Sequence, residues 1–223
     1  MSIGNCTATK PTLTQRIKRL MPIKAVGTTL FIYLFFRGYF WVMENPNATP
    51  ITVPTTSIDD LIPFSILGLP IYLSLWVYVS LAPALLNSLR ALLSYGLWIS
   101  LMCVACLMFF WFFPTATPPF EIDLLRYPSM AFLRVDTGLN AFPSLHVASA
   151  VFTSAWLTIL LRKINAPGYI HVLNIVYCLL IIWSTMAVRQ HVLWDAISGA
   201  FIGLMFAIMS IRSISRKLPE NDI

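Results

Sequence analysis

Charge is what this sequence has least of. Asp, Glu, Lys and Arg make up 11% of its 223 residues, 58% are hydrophobic, and the mean hydropathy is +0.77, where a soluble domain carries about 25% charged residues. That shortage excludes a water-soluble globule, because too few polar side chains are available to cover a wetted surface. Cysteine is scarce as well. Cys6, Cys103, Cys106 and Cys178 lie in the N-terminal tail or inside apolar runs, which excludes a disulfide framework. The Cys103-x-x-Cys106 spacing falls in an apolar helix and reads as packing rather than redox chemistry. Internal repeats and heptads are absent. After the first apolar run, Glu44-Asn45-Pro46 lacks a small-x-small cleavage pattern, so that run reads as an uncleaved anchor and not as a signal peptide.

What the chain has in quantity is long apolar stretches. Six reach the length of about 20 residues that a helix needs to cross a bilayer: roughly 23–43, 65–87, 91–113, 144–161, 169–188 and 192–211. The expected fold is all-α, a polytopic membrane protein with six transmembrane helices in a bundle. A basic tail over 1–22 and a second tail over 212–223 flank a membrane domain over 23–211. An even number of spans puts both tails on one side. Lys10, Arg16, Lys18, Arg19, Lys24, Arg90, Arg162, Lys163, Arg212, Arg216 and Lys217 all fall on that side, which the positive-inside rule makes cytoplasmic. The net charge of +6 is thereby topological, and nucleic acid is not an expected partner. The connections 44–64 and 114–143, and the short one near 189, lie outside. Asn47-Ala48-Thr49 in the first of them would be a glycosylation sequon only in a eukaryotic secretory pathway.

Four basic residues break the charge rule: Arg37 inside the first span, and Arg126, Arg134 and Arg189 near the outer ends of spans. His146 and His191 lie on the same outer side, each close to the start of an apolar run, and Asp195 follows His191 by one helical turn on the same face. Ionisable groups at such depth cost about 1 to 3 kcal/mol each unless paired or wet, so their clustering points to a polar pocket that opens outward. Within it, a carboxylate at Asp195 would fix the tautomer of His191 and free its opposite nitrogen as nucleophile or base. His146, on another helix, could protonate a leaving oxygen and later activate water. Arginines offer planar donor forks to a phosphate, and Pro143-Ser144 adds a hydroxyl at a helix N-terminus. Each residue also has a plainer role: Ser144 as a helix cap, the arginines as interfacial anchors, His191 with Asp195 as a structural hydrogen bond. Two histidines and an aspartate could instead bind zinc, but fixed positive charges beside them suit a phosphate better than a dication. His171 starts the fifth span on the opposite side and stands apart.

Phe142-Pro143-Ser144-Leu145-His146-Val147-Ala148 resembles the second signature of the type 2 phosphatidic acid phosphatase superfamily, in the form typical of the branch that includes inositol phosphorylceramide synthases. His191-Val192-Leu193-Trp194-Asp195 resembles the third signature, and Gly199 stands where the family often has a small residue. Asp136, Asn140, Asp59 and Ile62-Pro63-Phe64 are also similar to that branch. The resemblance implies an acid phosphatase/vanadium haloperoxidase-like core and metal-independent chemistry without a cofactor. His191 would be the nucleophile that forms a phosphohistidine, Asp195 its orienting group, His146 the acid, and Ser144 a phosphate ligand. The first signature is not intact, since no Lys occurs between Pro114 and Pro128, and Arg126-Tyr127-Pro128 is its nearest match. The Ser-Arg usual six residues before the third-signature histidine is Ser184-Thr185, with Arg189 instead two residues before His191. Arg189 and Arg126, then Arg134, are the candidate phosphate ligands.

The expected function is a membrane lipid phosphatase acting on a lipid phosphate at the outer membrane surface. Transfer of the phospho-headgroup to an alcohol acceptor is the alternative. A non-catalytic lipid binder or a transporter on the same frame is the reading from a different class, disfavoured because transporters place polar residues near the midplane. A bacterial inner membrane with the site facing the periplasm is the expected location.

Overall fold

The computed structural model describes residues 12–120 and 139–217, with side chains to 214. Six helical stretches among them are long and apolar enough to cross a membrane, as lipid demands of a backbone that must satisfy its own hydrogen bonds. A short α1 (Leu13–Lys18) leads into the first span, α2 (Met21–Glu44). A short α3 (Ser57–Leu61) lies in the connection to the second span, which is built from α4 (Gly68–Leu73) and α5 (Leu75–Leu85), and the third span is α6 (Leu89–Phe112). The remaining three are α7 (Leu145–Lys163), α8 (Gly168–Ala187) and α9 (Leu193–Lys217). This is the all-α membrane architecture expected from composition.

The structure adds detail that hydropathy does not carry. The second span is one apolar run but breaks at Ser74, whose Oγ donates to the Ile71 carbonyl at 2.6 Å and accepts from Tyr177 Oη at 2.6 Å, a side-chain competition with the helix ladder. Two connections that read as loop carry short strands, β1 (Ile51–Thr52) and β2 (Thr115–Ala116), paired in parallel. That pairing ties the C-terminal end of α2 to the C-terminal end of α6.

The bundle is organised around α7. Buried positions make up 61% of its spanning window against 11% for α2, so α7 is the central helix and α2 a peripheral one. Phe152 and Trp156 of α7, both wholly buried, pack their rings on Tyr95 of α6 at 5.4 and 5.5 Å. Buried polar side chains link three spans through hydrogen bonds, with Tyr78 Oη donating to Asn174 Oδ1 at 2.7 Å and Asn174 Nδ2 donating to the Ser154 carbonyl at 3.0 Å, as helices in lipid often do.

At the basic end, two residues counted with the cytoplasmic charges are buried. Arg16 is 4% and Lys24 7% exposed. Lys24 Nζ donates to the Ala84 and Arg16 carbonyls at 2.7 and 2.8 Å, and Arg16 Nη1 to the Leu85 carbonyl at 3.4 Å. These cations satisfy the open carbonyls at the C-terminus of α5, where the helix dipole favours positive charge.

The closest helix contact is between α7 and α9. Gly199 and Gly203, one turn apart, face the backbone of Ser144 and Ala148, and a Cβ on either would run into the Ser144 or Ala148 carbonyl oxygen. Small residues four apart let two membrane helices approach to backbone contact. Gly199→Ala and Gly203→Val should each therefore cost about 1–3 kcal/mol. The expected result is a lowered thermal unfolding midpoint in detergent; midpoints equal to wild type would contradict this packing.

Candidate active site

Both helices that meet at the glycines begin at the same end of the bundle, so their N-termini are brought together. The Ser144 N–H donates to the Asp195 carbonyl at 3.0 Å. Ser144 is the N-cap of α7, wholly buried, with its Oγ accepting from the Val147 N–H at 3.3 Å. The segment before it is held by β2, where Phe142 N–H donates to Thr115 Oγ1 at 2.8 Å. The first turn of α7 then carries His146, and the turn into α9 carries His191. Their ring centres are 6.0 Å apart, with the ring planes inclined at 55°.

Asp195 sits beside His191. Its side chain is fully buried, with Oδ2 3.4 Å from His191 Nδ1 and accepting from the Val192 N–H at 2.9 Å. The first is an ion-pair distance, longer than a good hydrogen bond, a spacing common in unliganded sites that tighten on binding. His191 Nδ1 and Asp195 Oδ1 have no hydrogen-bond partner among the described residues. With Nδ1 turned to the carboxylate, Nε2 is the nitrogen left for chemistry.

An aromatic box surrounds His146. Tyr72 stacks on the ring at 4.4 Å with planes 18° apart, and Trp76 stands edge-on at 6.0 Å. These residues were not singled out in the sequence. Their four-residue spacing, which puts both on one face of the second span, was the available signal.

Arg189 has a left-handed backbone, with φ 61°. Its guanidinium lies over the Phe120 ring at 4.7 Å, and Nη1 donates to the Asp59 carbonyl at 3.2 Å. One such bond leaves a guanidinium with four further N–H donors. Arg126 and Arg134 lie outside the described residues, as does Asp136. Arg37 is exposed along α2, and His171 is at the far end of the bundle from His146 and His191. Among the described residues, no three His, Cys, Asp or Glu side chains converge as a metal ion would require.

Asp59 does more than its place between the first two spans indicates. It is 2% exposed. Oδ2 accepts from the Thr56 N–H at 2.7 Å and Thr56 Oγ1 at 2.8 Å, closing a capping box on α3. Oδ1 accepts from the Leu193 N–H at 2.8 Å. Leu193 is the first residue of α9, so Asp59 caps a helix 134 residues further along the chain. Asp59 and Asp195 thus place two carboxylates at one helix N-terminus, where the dipole favours them.

Residues 91–219 match the PAP2 superfamily. The chain belongs to that family. No curated protein and no solved structure matches it. The PAP2 match runs from the first turn of α6 through α9 and so contains His146, Arg189, His191 and Asp195. It leaves outside the residues that support them from the first two spans, Asp59, Tyr72 and Trp76. PAP2 membership and the six apolar helices make this an integral membrane protein whose general activity is of the lipid phosphatase or phosphotransferase type.

Removing the Asp59 carboxylate tests its support of α9. Asp59→Ala leaves the half-buried Leu193 N–H without its acceptor, a loss of about 1 kcal/mol. Hydrogen exchange at the first amides of α9 should speed up while α6 and the middle of α7 keep their protection; unchanged exchange at Leu193 would contradict the remote cap.

Proposed function

We propose that the protein is a membrane lipid phosphatase that cleaves a lipid phosphate through a phosphohistidine on His191. The observation that carries this is the meeting of His146 and His191 at 6.0 Å, with Asp195 3.4 Å from the Nδ1 of His191. A nucleophile about 3–3.5 Å from phosphorus and an acid about 2.6–3.2 Å from the leaving oxygen fit a pair of rings so spaced.

In the first step the Nε2 lone pair of His191 attacks phosphorus, the N–P bond forms, and the P–O bond to the lipid alcohol breaks. His146 gives its proton to the departing oxygen. In the second step His146 takes a proton from water, the water oxygen bonds to phosphorus, and the N–P bond breaks to release inorganic phosphate. Asp195 holds the Nδ1 proton and stabilises the positive charge that His191 acquires as it attacks. Arg189 stabilises the negative charge that spreads over the phosphoryl oxygens, and Ser144, Arg126 and Arg134 complete the donor set. No cofactor is needed for this sequence.

Sidedness follows from charge. The histidine pair is at the end of the bundle opposite Arg16, Lys24, Arg90 and Arg162, so the positive-inside rule directs the site outward, to the periplasm of a bacterial inner membrane in this reading. Transfer to an alcohol is the second reading. It is favoured by the Leu145 of Pro-Ser-Leu-His and by Ser184-Thr185 in place of Ser-Arg; there the phosphorus bound to His191 keeps its headgroup, and the oxygen of the acceptor alcohol, in place of water, bonds to it as the N–P bond breaks.

Three variants separate the roles. His191→Ala should abolish phosphate release from a lipid phosphate in detergent, with chelator present or absent; activity remaining in this variant removes the phosphohistidine. His146→Ala should lose about 10²- to 10⁴-fold with an alcohol leaving group but far less with p-nitrophenyl phosphate, which leaves without a proton. Equal loss on both substrates would make His146 structural. Asp195→Asn should lower kcat with little change in substrate binding, and an unchanged kcat would contradict its orienting role.

A further inference from the structure

The two histidines of the site are held by different means. His191 has Asp195 beside its Nδ1, whereas His146 makes no hydrogen bond or ion pair among the described residues. What His146 has is rings. Tyr72 lies nearly parallel to its face, 4.4 Å away with the planes 18° apart, and Trp76 stands edge-on at 6.0 Å. The χ2 torsion of a histidine has broad wells, so backbone and rotamer leave the plane of the imidazole open and a neighbour must set it. For His146 that neighbour is an aromatic face. Stacking uses the π surface and leaves the ring edge, where both nitrogens stand, open to a substrate.

Tyr72 is itself firmly placed. It is 4% exposed and shares a buried cluster with Leu69 and with Val188 at the end of α8. The start of α4 is seated closely on that end of α8: the Ser65 N–H donates to the Ala187 carbonyl at 3.0 Å, and a Cβ on Gly68 would lie 3.3 Å from Ala187 Cβ and Val188 Cγ1. Val188 is three residues before His191. The cluster that fixes Tyr72 therefore includes the segment that leads into His191, and the ring that sets the plane of one histidine is tied to the approach to the other.

We propose that Tyr72 is the positioning residue of His146, holding the imidazole by its face as Asp195 holds His191 by its Nδ1 edge. The assignment rests on the phosphatase reading and adds to it a residue outside the span matched to the family. An acid that later acts as a base presents the same ring edge first to the leaving oxygen and then to water. Tyr72 keeps that edge aimed at the phosphorus through both steps without occupying it.

Tyr72→Phe keeps the ring, while Tyr72→Leu and the longer Tyr72→Met remove it and fill the space differently. With hexadecyl phosphate in mixed micelles, the Leu and Met variants are expected to lose about tenfold or more in kcat at little change in KM, and the Phe variant to stay within about twofold of wild type. On p-nitrophenyl phosphate, whose leaving group takes no proton, all three should stay within about twofold. In a His146→Ala background Tyr72→Leu should add less than about twofold on either substrate. Equal losses on both substrates, a loss that persists without His146, or a Phe variant as impaired as Leu would overturn the proposal. A second readout does not depend on turnover. In ¹³C-histidine-labelled protein the Cε1 proton of His146, assigned by its disappearance in His146→Ala, should lie upfield under the Tyr72 ring current, stay there in Tyr72→Phe and move downfield in Tyr72→Leu. A signal unmoved by Tyr72→Leu overturns the hold on the ring, whereas an unaltered protein that cleaves neither phosphate overturns the phosphatase reading.

Discussion

The backbone contact between α7 and α9 is the constraint on which the rest of the site depends. Two glycines one turn apart remove the side chains that would otherwise separate these helices, and the Ser144 N–H to Asp195 carbonyl bond fixes their register. Because both helices start at the same end, closing this contact places one histidine from each within 6.0 Å of the other. Separated by an ordinary helix spacing of 8–10 Å, the rings would stand farther apart.

The two ends of the bundle handle buried polarity in different ways. At the basic end Arg16 and Lys24 are used to satisfy helix carbonyls, and their donors are directed at backbone. At the other end Asp59 and Asp195 satisfy helix N–H groups, yet His191 Nδ1 and Asp195 Oδ1 remain without partners among the described residues. Buried polar atoms without partners are costly in a folded protein. Such atoms also occur at the basic end, Asn87 Nδ2 and Oδ1 among them, so what sets the other end apart is the second imidazole, His146, with its ring centre 6.0 Å from that of His191.

Much of this was legible in the sequence. Six spans follow from runs of apolar residues because a helix in lipid has no alternative way to satisfy its backbone. His191 and Asp195 share a face because they are four residues apart on one helix, and Gly199 was visible as a small residue in a resembling pattern. The juxtaposition of His146 with His191 came from resemblance and sidedness rather than spacing, since nothing in a one-dimensional pattern says which of six helices are neighbours. The break at Ser74 was hidden, because hydropathy is blind to a hydroxyl that bonds its own backbone. The part played by Asp59 was hidden for another reason: its partner Leu193 is 134 residues away, and only the folded chain brings the connection between the first two spans against the start of α9. Likewise Tyr72 and Trp76 look like ordinary apolar lining until the second span is seen against α7.

The central claim is that His191 carries the phosphoryl group and that His146 serves the same phosphorus. The most direct measurement is to quench a reaction with ³²P-labelled p-nitrophenyl phosphate, whose leaving group needs no acid, and map the labelled peptide in wild type and in His146→Ala. The account predicts an acid-labile, alkali-stable label on His191 that builds up when His146 is absent, because water then lacks its base. Label on another residue, or a labelled bond that survives acid, would contradict it.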